Sequence, residues 1–260
     1  MASLRDGWRI QVRVIKALMI RELNTRFGRE NIGFLWIMVE PLMFAALVAF
    51  AWRIMKGPEE HGIGVVAFVI SGYLPLTLFR HAITRCLNVF LANGSLMYHR
   101  QIRILDFIFV RVLIEMIGGM MAYLFIGILL VYFDLFPVPA DIGMLIAGWL
   151  LYSLFTLAVC FVVAPLSEMS SVLEKLVPVT TYVMIPFSGT FSMQSWLTPS
   201  VRDLMMWSPW VNAMEMMRFG LFGDRVTPYY DVSVPLWGSA FLTVIGLALC
   251  RKVRKTLVVE

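Results

Sequence analysis

Charge is scarce in this chain. Of its 260 residues only 15% are Asp, Glu, Lys or Arg, while 60% are hydrophobic, and the mean hydropathy is +0.79. A soluble globular domain is about 45–50% apolar and about 25% charged, so the composition excludes that class and indicates an integral membrane protein. Histidine is limited to His61, His81 and His99, too scattered for a zinc site. Cys86, Cys160 and Cys250 are odd in number, lie in apolar or span-end sequence and imply no disulfide framework. There is no phosphate-cradling glycine loop with lysine, no paired-histidine motif and no serine in a nucleophile-elbow pattern. No enzymatic activity, cofactor or metal is therefore expected of this chain. Internal repeats are lacking, and no cleavable signal peptide is expected, because the first apolar run starts beyond residue 30. The net charge of +5 sits in the two ends and one loop, the pattern of membrane orientation signals and not of nucleic-acid binding.

What is present is a succession of apolar runs. Residues 4–29 read as one amphipathic helix, with Trp8, Val12, Ile15, Met19 and Leu23 recurring at spacings of three and four. Arg5, Arg9, Arg13, Lys16, Arg21 and Arg26 surround that stripe, which suits a helix lying in the headgroup plane of a membrane. A soluble helix packed on a partner is the other reading. Apolar spans are expected over 32–53, 63–79, 107–133, 142–165, 172–191 and 235–250. A tight turn through Ser167, Glu168 and Ser170 separates the fourth from the fifth, and Pro178 and Pro186 break the fifth. Between residues 192 and 234 lie two half-length pieces, 200–207 and 210–222, too short to cross about 30 Å of hydrocarbon. They are expected to re-enter the outer side of the bundle, surrounded by protein or water. The expected fold is an all-α integral membrane protein with six transmembrane helices. An N-terminal amphipathic interfacial helix precedes them, and two short re-entrant helices precede the last span. Basic residues flank the N-terminal segment, the loop around Arg100 and Arg103, and the C-terminal tail, which places both termini in the cytoplasm.

Functional candidates are the ionisable and aromatic residues in or near spans, which are costly there unless they serve a purpose. Glu40, followed by Pro41, is the deepest. Arg80, Arg85, Arg111 and Glu115 gather near the expected cytoplasmic ends of the second and third spans. Pairing of Arg80 or Arg111 with Glu115 is one reading, and contact with an anionic substrate is the other. Glu215 and Arg218 stand three residues apart on a helix, within pairing reach. Trp196, Trp207 and Trp210 cluster on the outer side, as an interface belt or as stacking surfaces for sugar rings. Asn93-Gly94 is expected to stop a helix, after which residues 95–103 offer a short basic helix. Its Leu96, Met97 and Tyr98 would be exposed for protein docking, unless the loop tucks under its own bundle.

Residues 21–41, RELNTRFGRENIGFLWIMVEP, resemble the N-terminal signature of the inner-membrane permeases that export capsular polysaccharide. The match is carried by Arg21, Glu22, Thr25, Arg26, Phe27, Gly28, Gly33, Leu35, Trp36, Glu40 and Pro41. Asn93 to Leu96 with Tyr98, Asp106, and the Ser208–Arg218 pattern Ser-Pro-Trp…Glu-Met-Met-Arg resemble further family features. Ser208 departs from the asparagine common there, and the spacing after Glu168 does not align. The resemblance implies the membrane subunit of a type-2 ABC exporter, one domain over residues 1–260, homodimeric in the bacterial inner membrane. Each subunit would dock on a separate ATPase that holds ATP and Mg. Residues 95–103 would form the coupling helix, with Ser95, Leu96, Met97, Tyr98, His99 and Arg100 facing that ATPase. Residues 4–29 would be an interfacial gate helix, and 192–234 periplasmic re-entrant helices. Arg21, Arg26, Arg29, Trp36, Glu40, Arg80, Arg85, Arg111, Glu115, Trp207, Trp210, Glu215 and Arg218 are the gate and substrate-path candidates. The substrate would be a lipid-linked, often acidic polysaccharide, passed to periplasmic and outer-membrane export proteins. An O-antigen, teichoic-acid or drug-efflux permease of the same fold is an alternative, as is a membrane scaffold without a transport path.

Replacing Glu40 with Ala is expected to impair export while the protein remains in the membrane. Membrane-fraction immunoblots beside an export assay check this; abundance falling in step with export makes Glu40 structural instead.

Overall fold

A computed structural model describes residues 4–27, 33–97 and 102–257. The described chain is mostly helical, with one miniature hairpin. In order the elements are α1 (Leu4–Phe27), α2 (Gly33–Lys56), β1 (Glu59–Glu60), β2 (Ile63–Gly64), α3 (Val65–Cys86) and α4 (Ile104–Tyr132). There follow α5 (Ile142–Met169), α6 (Ser171–Val183), α7 (Pro199–Met205), α8 (Pro209–Phe222) and α9 (Ser233–Leu257). Strands β1 and β2 pair antiparallel across His61-Gly62, both at positive φ (52° and 77°), the backbone that two-residue hairpin loops favour. Among the described residues four helices are long and apolar enough to cross a membrane: α3, α4, α5 and the Ser233–Lys255 part of α9.

The expected fifth helix over 172–191 is shorter than read. Helix α6 has 13 residues, a rise of about 20 Å against a hydrocarbon layer of about 30 Å. Pro186 then opens a single 3-10 turn, Pro186–Ser188, and Gly189 takes the left-handed conformation at φ 75°. The chain continues as irregular backbone to the short 3-10 turn Gln194–Trp196. Helix α5 corrects the expected boundary in the other direction. It runs unbroken through Pro165, Ser167 and Glu168, and the chain breaks helical geometry only at Ser170 (φ −152°, ψ 114°). The expected stop at Asn93-Gly94 is also displaced. Helix α3 ends at Cys86, Leu87 is extended and Asn88 adopts φ 54°. Asn93 and Gly94 lie inside the 3-10 segment Leu91–Leu96 that follows.

Helix α5 is the packing axis, touching α3, α4, α6, α8 and α9. Glycines set two of those approaches. A Cβ at Gly148 would sit 2.6 Å from the Met217 side chain and 2.8 Å from its backbone nitrogen. One at Gly220 would lie 2.5 Å from the Leu145 nitrogen. Helix α8 therefore lies directly against the first half of α5, and it runs antiparallel. At the start of α8, Trp210 packs edge-on against Phe155 at 4.7 Å and Phe79 at 4.5 Å. At its end, the Gly220 carbonyl accepts from the Asp141 backbone N–H at 2.8 Å. Phe155 lies 13 residues into α5, so α8 starts about 20 Å along that helix from the end where it finishes. Helix α9 runs parallel to α5, with Gly238 against Phe155 and Gly246 against Phe161.

Replacing Gly148 with Val should force α5 and α8 apart, costing about 1–3 kcal/mol as an overpacked core does. Thermal unfolding in detergent checks this, with Gly7→Val, where an added Cβ meets nothing within 4 Å, as the unaffected control.

Candidate functional site

Two polar constellations interrupt the apolar bundle. The first lies where α1 crosses the start of α4 and the end of α3. Its centre is Glu115, 4% exposed on α4. The Arg26 guanidinium donates to Glu115 Oε1 at 2.7 Å and the Arg85 Nε lies 3.0 Å from the same oxygen. His81 Nδ1 is 3.8 Å from Oε2. Arg26 also donates to Glu22 one helical turn back at 2.9 Å, and Arg111 Nε lies 3.3 Å from that same carboxylate. Among the described residues this cluster sets three guanidiniums against two carboxylates, a positive surplus in a half-buried place.

Neither Arg80 nor Arg111 pairs with Glu115 among the described residues, which corrects the pairing expected from sequence. Arg111 instead donates to the carbonyls of Arg85 and Leu87, closing the C-terminus of α3. Arg80 stacks over the Tyr182 ring at 4.0 Å, tying α3 to α6. The partners that reach Glu115 are Arg26 from α1 and His81 and Arg85 from α3.

Helix α1 is held by polar pins along its length. Gln11 donates to Asp106 Oδ1 at 2.5 Å, while Asp106 Oδ2 accepts from the Arg103 N–H and caps α4. Arg21 donates to Asn93 Oδ1 at 2.7 Å, and Asn93 in turn donates to the Val89 carbonyl. Leu18 is buried, with Val14, Ile15, Met19 and Leu23 packed beside it. Trp8 and Val12, which the sequence placed in the same stripe, are exposed at 70% and 46%. The pins turn α1 so that Gln11, Leu18 and Arg26 face the bundle. Glu22, Asn93 and Asp106 entered the sequence reading as residues of the family resemblance and not as gate or substrate-path candidates, and Gln11 was not singled out at all. Glu22 could have been found from its i, i+4 spacing to Arg26; the long-range partners had no local signal.

The proposed docking segment is described only in part. Ser95 and Leu96 end the Leu91–Leu96 turn and Met97 follows it, so no α-helix begins at Ser95. Leu96 and Met97 pack half-buried against the core, and Leu91, 75% exposed, is the apolar side chain that projects from this segment. Tyr98, His99 and Arg100 lie outside the described residues, as does Arg29. Trp36 and Glu40 fall on α2, but their side chains are outside the described set, as is that of Ser95.

The second constellation belongs to α8. Arg218 is fully buried and donates to the carbonyls of Gly189 (2.8 Å), Thr190 (2.7 Å) and Ser192 (2.9 Å). Its guanidinium lies 4.5 Å over the Phe68 ring, and Glu215 Oε1 is 3.6 Å from Nη1, the i, i+3 pair expected from sequence. Gly72 admits it: a Cβ there would come within 2.6 Å of Arg218 Nη2 and 2.4 Å of the Thr190 oxygen. The three tryptophans do not share one surface. Trp207 is 82% exposed, Trp210 is wedged between Phe79 and Phe155, and Trp196 packs on Phe68 at 4.7 Å. Phe68 and Phe79 are 11 residues apart on α3, about 16 Å. No group of three or more metal-ligating side chains occurs among the described residues.

Over 253 residues the chain is 33% identical to the capsule polysaccharide export inner-membrane protein BexB of Haemophilus influenzae, aligned across 97% of this chain and 96% of BexB. The chain belongs to the capsule polysaccharide export inner-membrane protein family. Within that family, CtrC of Neisseria meningitidis serogroup B is 35% identical over 253 residues, with the same coverage of both chains. The polysialic acid transport protein KpsM of Escherichia coli is 21% identical over 258 residues, covering 95% of this chain and 96% of KpsM. No protein-family model matches the chain. For this capsule-export family member, both polar constellations lie in the region shared with BexB and CtrC along essentially the full length.

Replacing Glu115 with Ala strands Arg26 and Arg85 and should cost about 3–5 kcal/mol, the penalty for breaking a buried ion pair from one side. A double-mutant cycle of Arg26→Ala with Glu115→Ala, read by thermal unfolding, should show a coupling of about 1–3 kcal/mol. Strict additivity of the two single substitutions would contradict the geometry.

Proposed function

We propose that this chain is the membrane permease of an ATP-driven exporter that carries capsular polysaccharide across the bacterial inner membrane. One observation carries the reading: similarity to BexB and CtrC runs over 97% of the chain, so the whole permease is shared and not one module of it. Six spans then comprise α2, α3, α4, α5, the broken segment from α6 to residue 192, and α9. Helices α7 and α8 form a re-entrant hairpin from the periplasmic side. The start of α8 about 20 Å along α5 supports that depth. Both termini face the cytoplasm, a reading supported by the basic end of α9 beside the cation-rich α1.

Helix α1 acts as the cytoplasmic gate. Its exposed Trp8 and Val12 meet lipid, and its Arg21 and Arg26 hold it to the bundle. The arginine surplus around Glu115 sits where an acidic, lipid-linked polymer enters. Residues 95–103 dock on a separate ATPase that binds ATP and Mg, with Leu91 joining that surface. Arg21 ties the gate to Asn93, in the turn that leads into the docking segment, so movement of one displaces the other. The subunit works as a homodimer and hands its cargo to periplasmic and outer-membrane export proteins.

Expression of this chain with its cognate ATPase should restore surface capsule to a strain lacking its own capsule permease. Restoration of O-antigen alone would move the substrate assignment, and restoration of neither would remove the transport reading. Replacing residues 98–100 with Gly-Ser-Gly should abolish export and ATPase co-purification while membrane insertion persists. Undiminished polysaccharide export by that variant refutes the docking assignment.

A further inference from the structure

Six polar atoms lie buried in the interior of the bundle around Arg218, and none has a hydrogen-bond partner among the described residues. They are the Tyr123 hydroxyl on α4, Trp149 Nε1 on α5, both amide atoms of Gln194, and Glu215 Oε1 and Arg218 Nε on α8. All five side chains are at least nine-tenths buried. They are neighbours. The Gln194 backbone N–H donates to the Glu215 carboxylate, and the Tyr123 hydroxyl feels the Arg218 charge. The Tyr123 and Trp149 rings are 6.1 Å apart. Glu215 and Arg218, though oppositely charged, stand 3.6 Å apart, a gap too long for a direct hydrogen bond.

Buried polar groups in folded proteins are almost all hydrogen-bonded, to protein or to ordered water. Here the unanswered set includes donors (Trp149 Nε1, the Gln194 amide nitrogen, Arg218 Nε) and acceptors (the Gln194 amide oxygen, Glu215 Oε1). A cation would meet the Arg218 guanidinium, and an anion would meet the Glu215 carboxylate. A small neutral molecule that both donates and accepts satisfies both halves. We infer that Tyr123, Trp149, Gln194, Glu215 and Arg218 enclose a site that binds ordered water inside the membrane domain, bridging α8 to α4, α5 and the broken segment after α6. Water in this position completes the Glu215–Arg218 bridge across its 3.6 Å gap. It also answers the amide of Gln194, whose main chain already holds the Glu215 carboxylate.

Radiolytic labelling tests this, because hydroxyl radicals generated from bound water modify the side chains that touch it. The full-length protein in lipid nanodiscs is irradiated in oxygen-18 water, and oxygen uptake is read by mass spectrometry. Tyr123 should be labelled several-fold faster than Tyr73, a comparably buried tyrosine on α3. Its label should come from water that exchanges slowly with the bulk. Tyr123 labelling no faster than Tyr73 overturns the inference. Glu215→Gln, which keeps hydrogen-bonding capacity, should retain the label. Gln194→Leu should reduce it several-fold while the protein still unfolds cooperatively; unchanged labelling in a folded Gln194→Leu protein also overturns the site.

Discussion

A single guanidinium holds the most irregular part of this bundle together. After α6 ends at Val183, the chain turns inward and from Ser188 to Gln194 runs largely buried as turns and irregular backbone, leaving carbonyls that a helix would have satisfied internally. Each such group left unanswered in an apolar surround costs about 1–3 kcal/mol. Arg218 answers three of them at once, at Gly189, Thr190 and Ser192. Non-helical backbone at such depth is tolerated only where protein or water covers it, and α8 is the cover. The short α8, the absence of a side chain at Gly72 and the packing of Phe68 beneath the guanidinium are consequences of that arrangement. Lysine cannot replace it, since one ammonium lacks the planar fork that reaches three carbonyls spread over four residues.

The opposite pole is governed by Glu115. There the logic is reversed: one buried carboxylate collects cations from α1 and α3. Because Arg26 is pinned to Glu115 and Arg21 to Asn93, α1 is fixed to the bundle by hydrogen bonds as well as by Leu18 and the apolar residues around it.

The sequence was most informative where the physics is local. Apolar runs located the starts of α3, α4, α5 and α9 to within three residues but stopped seven residues short of the ends of α3 and α9, and the i, i+3 spacing announced the Glu215–Arg218 pair. It was least informative where partners lie far apart in the chain. The Asp106–Gln11 and Asn93–Arg21 bonds join residues 95 and 72 positions apart, and no periodicity encodes them. Of the apolar stripe on α1, Ile15, Met19 and Leu23 pack against the bundle while Trp8 and Val12 stay exposed. Pro178 and Pro186 signalled a broken fifth segment, but Pro178 lies inside the unbroken α6; the break comes between Val183 and Gly189, and Arg218, 29 residues after Gly189, answers the carbonyls it frees. The tryptophans looked like one cluster because they are close in sequence; α7 and the start of α8 separate them in space.

The two polar poles are not independent, because α3 and α4 run through both. Helix α3 supplies Arg85 to the Glu115 cluster and Phe68 and Gly72 to the Arg218 site. Helix α4 supplies Glu115 to one and Tyr123 to the other, eight residues apart and about 12 Å along the axis. Helices of this length move as rigid rods, whereas the carbonyl-guanidinium contacts of Arg218 break over fractions of an ångström. A shift of α3 or α4 driven from the α1 end therefore reaches the Arg218 site as a change in hydrogen bonding and not as a deformation of the helix. The broken fifth segment is the element that can respond, since no helical ladder of its own resists the change. The two polar poles are thus joined by two long helices and one irregular segment.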